Sequence, residues 1–126
     1  MRSFIIALII AGLIVGGTIF STYRIEVVSG KILDDNQKVV EAVNSNDFKK
    51  AKTLARNMAE YVDDKKMSLS IIMDHGDLDK IEQGVAELEG YIEGEAKFDS
   101  LAKCKFLDVL IRHLPRNYKL KIENVL

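Results

Sequence analysis

Helix breakers are scarce in this chain of 126 residues. Proline occurs once, at Pro115, and glycine is sparse after Gly30. With Lys, Glu, Asp, Leu and Ala plentiful, that scarcity points to an all-helical domain. The lone cysteine, Cys104, excludes an internal disulfide and leaves the redox compartment unset. It also excludes attachment through a lipidated N-terminal cysteine. A net charge of −1 gives no electrostatic footprint for nucleic acid. Repeats and low-complexity linkers are missing. So are a phosphate-cradling glycine loop, CxxC, HExxH and the Glu-x-x-His of di-iron bundles. No serine sits in a recognisable nucleophile turn. The expectation is a protein that is not an enzyme, with no catalytic residue and no cofactor.

What the chain does have is one long charge-free run. Ser3 to Tyr23 reads SFIIALIIAGLIVGGTIFSTY, and Phe4 to Phe20 carries no charge at all. About 20 helical residues cross a bilayer core of roughly 30 Å, and a helix satisfies its own backbone hydrogen bonds where lipid cannot. The run therefore predicts a single-pass signal-anchor over residues 1–23. A buried core helix and a cleaved signal peptide are the alternatives. Signal peptides have apolar regions of about 7–15 residues, shorter than this one, and Gly16-Gly17-Thr18 is a poor cleavage context. Arg2 precedes the run and Arg24 follows it. The positive-inside rule then favours a cytoplasmic N-terminus, with the bulk of the chain outside the cytoplasm at the cell membrane. Gly12 and Gly16 form GxxxG, a spacing that lets two helix backbones approach closely in lipid. It suits a homo-oligomer or docking to a membrane partner. Glycine is also simply common in membrane helices.

Residues 24–126 predict an antiparallel bundle of about four helices. In Ile25–Asn44, the residues Ile25, Val28, Ile32, Val39, Ala42 and Val43 share one face. Asp35 falls in that seam and weakens it, and Ser29-Gly30 is the expected bend. Asn44–Asp47 is a turn, with Asn46 or Asp47 capping the next helix. That helix, Asp47 to His75, carries a coiled-coil-like heptad of Phe48, Ala51, Ala55, Met58, Val62, Leu69 and Ile72, broken by Lys65. At this length it is about 43 Å long and overshoots the preceding helix, so a bend near Asp63–Lys66 or a tilt is expected. Lys49, Lys50, Lys52 and Arg56 form a basic face. It is either solvated or drawn to anionic lipid.

Gly76 is expected in the left-handed position closing the second helix, with Asp77 capping the third. Leu78, Ile81, Val85, Leu88 and Ile92 give the third stripe, backed by an acidic side. After a Gly94-Glu95 turn, a helix from Ala96 to Leu114 is apolar over most of its circumference. Phe98, Ala102, Phe106, Val109, Leu110 and Leu114 form one broad apolar face, flanked by Leu107, Ile111 and Cys104, and a helix this apolar should be the most buried of the bundle. Pro115 should stop it, because a residue before proline avoids the helical region. Cys104 reads as a small buried hydrophobe. The tail alternates Leu120, Ile122 and Val125-Leu126, as an extended segment or a short helical turn.

The segments AVNSNDFKKAKTLARNM, SIIMDHGDLDKIEQGVAELEGYIE and FLDVLIRHLPRNYKLKIENVL together resemble a family of small, single-pass, membrane-anchored helical proteins. Its members come from spore-forming Gram-positive bacteria and are known only as a domain of unknown function. The resemblance implies no catalytic residues. It does imply a multi-pass membrane protein as partner. The expected role is a membrane-tethered interaction or scaffold module. The alternative is an extracytoplasmic sensor or weak metal-binding module at His75, Asp79 and His113, placed at one bundle end by helix alternation. Helix capping by Asp77 and ordinary interfacial imidazoles explain the same residues without a ligand.

Overall fold

The computed structural model describes the backbone of residues 1–125, and the side chains of these residues except 120–123 and 125. The chain is all-helical: α1 Arg2–Asn44, α2 Phe48–Leu69, α3 His75–Glu93 and α4 Lys97–Val125. No strand occurs among the described residues. Packing of α1 on α2 and α4, and of α3 on the same two, makes a four-cornered bundle.

α1 is one rod of 43 residues, about 65 Å at 1.5 Å per residue. It passes through Ser29-Gly30 without interruption, against the bend expected there. Ser29 is buried, so the position is held by neighbouring helices and is not a free hinge. The predicted face from Ile25 to Val43 is buried throughout. Asp35 lies in it as expected, and Lys31 Nζ reaches both its carboxylate oxygens at 2.7 Å. The turn to α2 is also as expected. Asp47 takes the N-cap position and accepts from the Lys50 backbone N–H at 3.1 Å, while Asn46 supplies the positive φ of 56°.

The second helix is shorter than the sequence suggests. It ends at Leu69, and uninterrupted helix through Asp63–Lys66 carries it there. Ile72 and Met73 then fold their N–H groups back onto the Leu69 carbonyl, which buries Met73 in the core. At 22 residues α2 is about 33 Å long, and the overshoot disappears. His75 accordingly opens α3 and does not close α2. Gly76 is helical, with no positive φ, and Asp74 rather than Asp77 occupies the N-cap position. The predicted third stripe, Leu78 to Ile92, is buried.

α4 departs from expectation twice. Its buried face is Ser100, Cys104, Leu107, Ile111, Leu114 and Tyr118. Of the broad apolar face, Leu114 is buried and Leu110 half-buried, while Phe98, Ala102, Phe106 and Val109 point outward. On a helix apolar nearly all round, counting hydrophobes cannot choose the side. Two specific contacts choose it here. Asn36 Nδ2 donates to the Cys104 carbonyl at 2.8 Å. Gly84 of α3 is so tightly opposed to Leu107 that a Cβ there would stand 2.7 Å from Leu107 Cδ2. Second, Pro115 lies inside the helix. An interior proline costs about 3 kcal/mol or more. Continuation through it buries Tyr118 and lets its hydroxyl bond to α3, which a stop at Leu114 would forfeit. The tail is therefore helical as far as Val125. Leu126 and the side chains of Leu120, Ile122 and Val125 lie outside the described residues.

The acidic side of α3 meets cations on both neighbours. Lys66 of α2 pairs with Glu82 at 2.7 Å, and Lys103 of α4 pairs with Glu87 at 2.5 Å. These pairs raise the Lys66 pKa and lower that of Glu87 from their ordinary values.

Candidate functional site

The apolar run of α1 is largely uncovered, with only Thr18, Ser21 and Thr22 half-buried near its end. Every residue before Thr18 is exposed, and burial begins in earnest only at Ile25. By length and composition α1 can cross a membrane, and the apolar window that qualifies it has none of its surface buried within the chain. A Cβ added at Gly12 or Gly16 would meet nothing within 4 Å. Among the described residues, nothing covers the GxxxG face at either glycine.

At the base of the bundle, where this run ends, the four helices are tied in two pairs, α1 to α2 and α4 to α3. Arg24 Nη2 of α1 donates to Ser68 Oγ of α2 at 3.1 Å. Tyr118 of α4 donates its hydroxyl to Asp77 Oδ2 at 2.6 Å and accepts from the Asp74 N–H at 2.7 Å. Burial, and then the hydrogen bond its hydroxyl donates to Asp77, push the Tyr118 pKa up to about 12. Met67 and Ile71 stand out from this end into solvent, 82% and 83% exposed.

His75 sits at this base, and His113 lies five residues before Tyr118, about 7.5 Å along the same helix. Alternation does bring both to one end. His75, Asp79 and His113 are all exposed, however. Among the described residues, no group of three or more His, Cys, Asp or Glu side chains is gathered to hold a metal ion.

Among the described residues, the core at this end leaves little free space. Free space among Ile25, Ser29, Leu69, Leu78 and Leu114 amounts to about 10 Å³. That is about the room one water needs. Cys104 is buried, and desolvation pushes its thiol up to about 12, so no thiolate nucleophile exists near neutral pH. Among the described residues, the buried Asn36 Oδ1 and Ser100 Oγ have no protein hydrogen-bond partner.

Sequence reasoning missed Asn36, Gly84, Ser100 and Tyr118. Spacing alone holds a signal for three of them. Asn36 stands between Ile32 and Val39, Gly84 between Ile81 and Leu88, and Tyr118 extends Leu107, Ile111 and Leu114 by one further step. A polar or glycine residue in a stripe is easily discounted, and the proline hid the last.

A family model described as Domain of unknown function (DUF4363) matches residues 19–125. No curated protein and no solved structure matches the chain. The matched region starts within the last residues of the apolar run and takes in the whole bundle.

Proposed function

The chain belongs to the DUF4363 family, whose description assigns no chemistry, and from that premise we propose a non-enzymatic, membrane-tethered interaction module. One observation carries this. The first half of α1 is apolar on all sides and uncovered, while the second half of the same helix is the spine of a closed core. A continuous apolar cylinder of that length is costly in water and at home in lipid. Residues 1–23 form the anchor, and residues 24–126 stand as a bundle on the outer face of the cell membrane. A phosphatase fused after residue 126 should then be active. An inactive phosphatase beside an active cytosolic reporter would reverse the orientation.

The partner is a multi-pass membrane protein. It meets the open Gly12/Gly16 face within the bilayer and the outward face of α4 above it. That outward face displays Phe98, Ala102, Phe106 and Val109, with Phe98 84% exposed and Phe106 and Val109 each 45%. Exposed hydrophobic side chains gathered at helical spacing on one face are a common mark of an interaction site. Photo-crosslinkers at Leu13 and at Phe106 in native membranes should both recover the same membrane protein. Recovery of this chain alone would leave a homo-oligomeric scaffold in its place.

A further inference from the structure

The two ends of the bundle are unlike. Beyond the apolar run, three hydrophobic side chains among the described residues are more than four-fifths exposed: Met67, Ile71 and Phe98. Phe98 stands at the far end, where Lys97 Nζ donates to Asn46 Oδ1 at 3.2 Å. Met67 and Ile71 stand together at the base, on the last turn of α2 and just after it. The Arg24–Ser68 hydrogen bond fixes their height. It sets this turn level with the point where the charge-free run stops. Tyr23, 63% exposed, lies at the same level, and tyrosine favours the membrane–water boundary.

The geometry points to the Met67–Ile71 turn as a second membrane contact, its two apolar side chains resting in the interfacial layer of the bilayer that α1 crosses. This rests on α1 being an anchor. α1 is a single uninterrupted helix, so the bundle cannot float at an arbitrary height above the lipid. The polar layer outside the hydrocarbon is about 5–8 Å deep on each side. Ser68 is level with Arg24, four residues past Phe20, or about 6 Å of helix. The turn therefore falls inside that layer. Its charges are mixed: Lys65 and Lys66, with Arg116 and Lys119 on the adjoining turn of α4, are offset by Asp63, Asp64, Asp74 and Asp77. Apolar insertion, and not attraction to anionic lipid, is then the driving contact, and neutral lipid suffices. Tethering at two points would hold the bundle at a fixed tilt and leave the outward face of α4 aimed along the membrane plane.

The chain contains no tryptophan, so a single substitution gives an unmixed fluorescence signal. The full chain is reconstituted in phosphatidylcholine vesicles, with and without bromine near the headgroup end of the acyl chains. Three variants, Ile71→Trp, Phe98→Trp and Ile10→Trp, are compared after circular dichroism shows each to be helical. The expected result is quenching of Ile71→Trp and Ile10→Trp by brominated lipid. Ile71→Trp should also be several-fold less accessible to acrylamide than Phe98→Trp. Ile71→Trp as open to acrylamide as Phe98→Trp, with Ile10→Trp still quenched by lipid, overturns the contact and leaves the anchor standing. Shielding from acrylamide without lipid quenching means that a second copy covers the turn, and also overturns it. An unquenched Ile10→Trp removes the anchor and the contact together.

Discussion

Residues 2–22 and 25–44 share one helix, yet their surroundings are opposite. The first stretch is the more apolar and has no fully buried residue; the second carries Lys31, Asp34, Asp35, Lys38 and Glu41 and forms the spine of the core. Total hydrophobicity therefore does not decide which helix enters a protein interior. Periodicity does. Ile25, Val28, Ile32, Val39 and Val43 fall on one side, so that side has partners to meet and the other has water. A helix that is apolar all round gives neighbours no side to prefer, and lipid satisfies it equally in every direction.

Matched substitutions in the two halves are the sharpest way to break this contrast. Ile32→Ala removes a side chain that is 2% exposed, and should cost the bundle about 2–5 kcal/mol. Ile9→Ala, at a position 57% exposed within the chain, should leave bundle stability unchanged. Urea unfolding of the full chain in nanodiscs, followed by circular dichroism, reads both. Equal losses would mean that the two halves are packed alike. Glycines allow the same comparison with a smaller effect. Gly84→Ala forces a methyl against Leu107, which is fully buried and has no free direction to move, and should cost about 1–3 kcal/mol. Gly16→Ala meets nothing in the chain, so its effect should appear in crosslinking to a membrane helix and not in the bundle's unfolding curve.

Tyr118→Phe tests the base, where the two halves join. Loss of the hydroxyl bonds to Asp77 and Asp74 should cost about 1 kcal/mol near neutral pH. It should also change the alkaline limb. The folded-state pKa is raised from 10.0 to about 12, so the folded chain holds its proton where the unfolded chain has lost it. Stability is then fully present below pH 10 and falls as pH rises through about 12. That fall should be smaller in Tyr118→Phe, as thermal unfolding between those pH values would show. The smallest effect has the opposite sign. Gly90 is helical and exposed, with open space where a Cβ would go, so Gly90→Ala should stabilise the bundle by about 0.5–1 kcal/mol.

The same contrast explains which features the sequence makes legible. The apolar run, the core faces of α1 and α3, the Asn44–Asp47 turn and the burial of Cys104 all follow from strong period or clear turn chemistry. α4 does not, because its circumference is apolar on two opposite sides. Its phase depends on Asn36 and Gly84, residues of other helices, which no local pattern in α4 reveals. Pro115 misleads for a related reason. Its local preference to end the helix is outweighed by the packing of Tyr118 and that residue's two hydrogen bonds to α3. The end of α2 shifts because Met73 finds a place in the core that only the assembled bundle provides. At the base, Met67 and Ile71 carry no sequence signal of exposure. Ile72 and Met73 beside them are half-buried and buried.

Washing native membranes with alkaline carbonate tests most directly whether lipid surrounds the first half of α1. The full-length chain should stay with the membrane pellet, its N-terminal run still attached. Release of the chain into the wash, or a mature N-terminus beginning beyond Tyr23, would contradict the account.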